Sequence, residues 1–184
     1  KGLIDSGYRL VYWDAQSKTS LSDEEVHFIV KFDKLYYVKY KIVDSDEYVT
    51  VATTRPETIL GDSAICVNPN DDRFKDFIGM KVIVPIVDRH VPIISDEYVD
   101  IDYGTGCLKV TPAHDHNDKV LGEKYNLEFI DILNENASLN DICLHYSGMD
   151  RFLARKKIIQ ELDSLKLFVK DENITHNVGV SERT

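Results

Sequence analysis

The chain has 184 residues, 43% of them hydrophobic and 29% charged, and 22 basic against 32 acidic residues leave a net charge of −10. That length buries a sizeable core without disulfides, and the acidic balance excludes a protein that coats nucleic acid non-specifically, though not a small site that receives one RNA end. Three scattered cysteines, Cys66, Cys107 and Cys143, form no CxxC pair and fit a reducing, cytoplasmic setting, and no apolar run approaches the ~20 residues of a membrane span.

In chain order, short runs rich in Tyr, Val and Ile predict strands. They are 8–13, 25–30, 35–43, 48–54, 64–67, 81–87, 90–94 and 106–110. Several lie too close together for intervening helices, so the expected fold is α+β: a mixed, largely antiparallel, β-barrel-like core decorated by a few helices. A short helix is expected at 70–77 and a second from Asn117 toward Tyr125. In the third, "MDRFLARKKIIQELDSLKLF", Asp150 is the expected cap. Phe152, Lys156, Ile159 and Leu162 keep helical spacing there, and Leu153 and Ile158 widen the apolar face. Arg151, Arg155, Lys156 and Lys157 make its basic cluster, which reads as a solvated face or an RNA contact. The chain opens without Met and closes on "GVSERT", so a single domain excised from a longer polypeptide is expected, spanning 1–184.

Two stretches carry chemistry. In "TTRPET" (53–58) two hydroxyls, Arg55 and Glu57 sit where a strand gives way to a proline-started turn, with Thr54 as the expected cap. In "GTGCLKVTPAHDHND" (104–118) a strand presents Lys109 and Thr111 on one face, Pro112 ends it, and His114, Asp115, His116 and Asp118 follow. The second stretch admits four readings. One is a metal site on His114, Asp115, His116 and Asp118, although consecutive residues seldom converge on one ion. A second has a Thr or Cys107 as nucleophile with His114 as base. A third is ester hydrolysis by a positioned water, with carboxylates holding an ammonium. The last is a helix cap with a satisfied histidine.

Together the two stretches resemble the editing insert, connective polypeptide 1, of the class I aminoacyl-tRNA synthetases. Glu57 after Arg55-Pro56, and Ala113-His114-Asp115, are similar to the valyl branch rather than the isoleucyl or leucyl ones. "YRLVYWDAQSKTSLSDEEV" (8–26) and "HNVGVSERT" (176–184) resemble the segments that connect the insert to the synthetase body, so 1–26 and 176–184 are expected as connecting strands. "GMDRFLARKKIIQEL" (148–162) resembles the insert's late helix. Lys119 and Ser63 depart from the family pattern, which has an aromatic and a Thr there. HIGH-like and KMSKS-like signatures are absent, so no amino-acid activation is expected of this piece.

The resemblance implies hydrolysis of threonine wrongly esterified to tRNA(Val). A hydrophobic pocket rejects an isostere that merely adds a hydroxyl by only about a hundredfold, the figure long associated with valyl enzymes and threonine. A second, polar pocket can demand that hydroxyl. It implies Asp118 on the substrate ammonium, with Lys109, Thr111 and Asp115 around the threonine hydroxyl and Thr58 limiting size. Arg55 is implied for the terminal adenosine or its phosphate, Thr53 and Thr54 for ester and water, and His114 for orientation rather than proton transfer. The implied partners are the 3′ end of tRNA(Val) carrying threonine and the rest of the parent synthetase in cis. No metal and no cofactor are implied, and a monomer is expected. The competing readings are a non-catalytic module that binds an amino acid or adenosine, and the editing domain of the related isoleucyl or leucyl enzyme.

Overall fold

The structure is a computed structural model and describes residues 9–183. Nine strands dominate: β1 (Tyr12–Asp14), β2 (Thr19–Leu21), β3 (Val26–Ile42), β4 (Tyr48–Thr53), β5 (Ala64–Val67), β6 (Lys81–Ile83), β7 (His90–Ser95), β8 (Cys107–Val110) and β9 (Phe168–Ser181). Two α-helices, α1 (His116–Lys124) and α2 (Arg151–Ser164), and several short 3-10 segments decorate them. β1 and β2 form a small hairpin, and the other seven make one sheet in the order β4-β3-β6-β7-β5-β8, with β9 on β3. All pairs are antiparallel except β5 with β7. The sheet curls until β4 and β8 touch without sharing hydrogen bonds, an open half-barrel of the expected α+β kind.

Side-chain alternation explains the curl. Val38, Tyr40 and Ile42 of β3 and Val49 and Val51 of β4 point into the main core, while Lys39 and Lys41 point out. β5 is buried on both faces. Ile65 and Val67 join the main core, and Ala64 and Cys66 join a second cluster with Val99, Val110 and Leu121. Leu121 thereby ties α1 to the sheet. Gly122 permits the contact, because a Cβ there would lie 2.7 Å from Pro112 Cβ.

Several expectations are corrected. The runs 25–30 and 35–43 are one strand, β3, whose charged middle hides the continuity. The run 81–87 stops at Ile83; Pro85 cannot extend a ladder, and the chain turns through Ile86 and Asp88, both at positive φ. The run 8–13 yields only β1, and Tyr8 lies outside the described residues, as do residues 1–7 of the first proposed connecting segment, 1–26. The helix expected at 70–77 is a single 3-10 turn, Lys75–Phe77. β9 begins at Phe168, before the expected 176; its polar "KDENITHN" has no apolar rhythm because it pairs with the solvent-exposed half of β3 as a two-stranded ribbon. Asp150 does cap α2, accepting from the Phe152 and Leu153 N–H groups at 2.9 and 3.1 Å. The helix buries Ala154, Ile158 and Leu162, however, and leaves Phe152 and Leu153 exposed.

Candidate functional site

Thr53, Thr54, Arg55, Thr58, Lys109, Thr111, His114, Asp115 and Asp118, the nine residues singled out from sequence, line one cavity of about 380 Å³. The end of β4 and the 56–61 turn form one wall, and β8 with the start of α1 forms the other. Contact between β4 and β8 across the open seam brings the walls together. Leu35, Ala52, Tyr98, Tyr103, Leu108 and Asn117 complete the lining.

The first wall is held locally. Pro56 opens a 3-10 turn whose preceding residue is Arg55, so Thr54 is not the cap. Thr53 Oγ1 instead accepts from the Arg55 N–H at 3.0 Å, and Thr58 Oγ1 donates to the Arg55 carbonyl at 2.8 Å. Glu57, only 1% exposed, accepts a two-pronged contact from Arg155 of α2 at 2.7 and 2.8 Å. Arg55 shares that carboxylate at 3.7 Å and donates from Nη1 to the His114 carbonyl at 2.9 Å, which ties one wall to the other. Arg155 is therefore a partly buried structural partner and leaves the solvated basic cluster expected on α2.

Beneath the pocket lies a network that sequence reading missed. Asp62, fully buried, accepts from Tyr40 Oη at 2.6 Å, Lys109 Nζ at 2.7 Å and Thr111 Oγ1 at 2.6 Å, and Lys109 also donates to Thr111. Burial raises the Asp62 carboxyl, while the ammonium and the hydroxyls pull it back. Thr111 has spent its proton on Asp62. Lys109 has three protons and spends two on these partners, leaving a third donor at the pocket floor. The signal available in sequence was the "GD" closing 51–62, an acid placed directly after an apolar turn.

Asp118 is buried and accepts the Thr111 N–H at 2.8 Å through Oδ2. Burial pushes its carboxyl up to about 6, against the pull of Lys109. Asp115 is exposed and caps α1, accepting from Asn117 and Asp118 N–H at 2.8 and 3.1 Å. His114, with a side chain 7% exposed, accepts the Ile132 N–H on Nε2 at 3.0 Å, so its own proton sits on Nδ1. Burial lowers it to about 4, with Asp131 opposing.

The competing chemistries lose their geometry. Among the described residues no group of three or more His, Cys, Asp or Glu side chains is placed to hold a metal ion. Asp115 caps a helix, and His116 turns outward against Tyr12, ring centroids 5.1 Å apart. Cys107 is buried and burial raises its thiol, so it is no nucleophile. Lys119 lies outside the pocket, paired with Glu123 at 3.3 Å, and Ser63 is buried with its N–H on the Val110 carbonyl.

A family model described as "Leucyl-tRNA synthetase, editing domain" matches residues 72–158. In structure, the chain is similar to a leucyl-tRNA synthetase of Agrobacterium radiobacter K84, solved as a ternary complex with tRNA and LeuAMS, at TM-score 0.61 and 20% identity over 83% of this chain and 21% of that one. It is also similar to the structure described as GlLeuRS-CP1, at TM-score 0.57 and 12% identity over 77% of this chain and 99% of that one. The fold is that of an editing domain, connective polypeptide 1, of the class I aminoacyl-tRNA synthetases.

Within that class the chain belongs to the valyl-tRNA synthetases. All of it aligns with the valine--tRNA ligase of Christiangramia forsetii at 58% identity, of Parabacteroides distasonis at 56% and of Staphylococcus haemolyticus at 51%, and it spans 21% of each.

Proposed function

We propose that this domain performs post-transfer editing: it hydrolyses the ester of threonyl-tRNA(Val), releasing threonine and tRNA, with the rest of the parent synthetase binding most of the RNA. The observation that carries this reading is the polar floor made by Asp62, Lys109 and Thr111 beside the Asp118 carboxylate. A pocket selecting valine would be apolar there. This one offers a free Lys109 donor that a threonine hydroxyl satisfies and a valine methyl leaves unpaired, a penalty of roughly 1–3 kcal/mol.

Each lining residue then has a task. Asp118 pairs with the α-ammonium, Lys109, Thr111 and Asp115 surround the hydroxyl, and Thr58 bounds the cavity. Arg55 takes the terminal adenosine or its phosphate. Thr53 and Thr54 orient the ester and the attacking water. His114 is a positioning residue, since its Nε2 lone pair is already used by the Ile132 N–H. The ribose hydroxyl beside the ester assists proton movement, which accounts for a pocket with no dedicated base.

The test is deacylation of threonyl-tRNA(Val) by the full-length synthetase and its Asp118→Ala variant. Loss of deacylation with aminoacylation retained supports the reading, and an unaffected variant refutes the site. Tight binding of a threonyl-adenosine mimic without hydrolysis by either protein would establish the non-catalytic binding module instead.

A further inference from the structure

The basic cluster of α2 divides in two. Arg155 is neutralised by Glu57 at 2.7 Å and approaches Asp33 at 3.8 Å. Arg151, one turn earlier and half-buried, forms no hydrogen bond or ion pair among the described residues. Its guanidinium rests 4.7 Å from the centroid of the Phe152 ring, itself 46% exposed. Arg155 lies over the same ring at 5.4 Å and Lys31 of β3 at 5.8 Å. Arg55, 40% exposed at the pocket wall, is a further cation beside Arg151. Lys31, Arg55, Arg151 and Arg155 thus face Asp33, Glu57 and the cap Asp150, four cations against three anions in a chain of net charge −10.

Asp150 and Glu57 act on Arg151 only through space, while Arg55 and Arg155 oppose them, so this half-desolvated guanidinium has donors with no direct acceptor and favours an anion arriving from outside. Phe152 holds it by a cation–π contact, so its orientation is set in advance. Arg55 belongs both to the pocket lining and to this patch, so the patch begins where the pocket ends.

We propose that Arg151, supported by Lys31 and held by Phe152, binds a backbone phosphodiester of the single-stranded RNA segment whose esterified end occupies the pocket. This rests on the editing reading above. Guanidinium suits the task because its fork of donors matches the phosphate oxygens.

The experiment uses the full-length synthetase with Arg151→Gln, Arg151→Lys and Lys31→Gln. Deacylation is measured on threonyl-tRNA(Val) and on threonyl-adenosine, which has no phosphate, over a range of KCl. Arg151→Gln is expected to raise KM for the tRNA several-fold with kcat retained. It should flatten the slope of log kcat/KM against log salt by about 0.7, the value for one contact to a single strand. Turnover of threonyl-adenosine should be spared, and Arg151→Lys should recover part of the KM. Equal loss on both substrates would mark a structural role, and an unchanged KM and salt slope on tRNA would remove the contact; either overturns the proposal. Fluorescence anisotropy with an uncharged single-stranded RNA of the tRNA 3′ sequence separates this inference from the reading it rests on. Weaker, less salt-sensitive binding by Arg151→Gln supports the contact even if no ester is hydrolysed. Hydrolysis that persists with unchanged RNA binding overturns the contact alone. Altered thermal stability of the parent with RNA binding unchanged would assign the patch to a protein face, and also overturns it.

Discussion

Arg155→Met removes the main partner of a carboxylate that has almost no solvent of its own. Glu57 is 1% exposed and takes both Arg155 contacts below 3 Å, at 2.7 and 2.8 Å. Breaking one side of a buried pair costs about 3–5 kcal/mol, because the surviving charge stays desolvated. Arg55, 3.7 Å away and partly exposed, offsets some of this, so the lower end, about 3 kcal/mol, is expected. For a domain of this size that is a fall in Tm of about 6–12 °C. Urea unfolding of the chain, followed by far-UV circular dichroism, gives the free energy directly. Glu57→Leu combined with Arg155→Met should return to within about 1 kcal/mol of the parent, since a buried pair replaced by apolar groups is often neutral. A single variant that loses less than about 1 kcal/mol, or a double variant as unstable as the single, would refute the view of this pair as a buried tie between α2 and the pocket wall.

Other outcomes follow from the same geometry. Burial raises Asp118 to about 6 and lowers His114 to about 4 in the folded chain. The raised carboxyl stabilises the fold most below its unfolded value near 4, and that contribution disappears as pH rises through about 6. The lowered imidazole stabilises above its unfolded value near 6.5, and that contribution is lost as pH falls toward 4. The two oppose each other between those limits, so Asp118→Asn should be more stable than the parent at pH 7 and should lose stability more steeply on acidification, as read by urea titrations at pH 7, 5.5 and 4. Because substrate ammonium needs the ionised carboxylate, kcat/KM for deacylation should fall on the acid side of about pH 6. His114→Ala deprives the Ile132 N–H of its acceptor and should cost about 1–3 kcal/mol in the same assay. Cys66 and Cys143, buried and pushed up to about 12 and 11, together with buried Cys107, should resist a thiol reagent at pH 8 until the chain is unfolded in urea.

The residue types of the pocket were legible in the sequence because they cluster in two short stretches where strands end. Proline, threonine and paired acids have strong local preferences there. Lys109 and Thr111 alternate on β8 as residues two apart must, and Asp115 and Asp150 cap helices through contacts two or three residues away. Long-range partners left no such trace. Asp62 meets Lys109 across 47 residues and Thr111 across 49, and Glu57 meets Arg155 across 98. The first half of β9, before His176, was hidden because a ribbon exposed on both faces needs no apolar alternation.

The sequence by itself determined the strand-rich class, the two stretches that carry the chemistry and the kinship that binds them, since all of these depend on neighbours in the chain. Only the tertiary structure decided that nine side chains share one cavity, that the Lys109 ammonium is anchored from below by Asp62, and that Arg155 turns inward onto Glu57 while Arg151 forms no direct ion pair among the described residues. Those outcomes depend on which groups the curled sheet and the packing of α2 remove from water together, and a buried charge takes its properties from the partner it finds there.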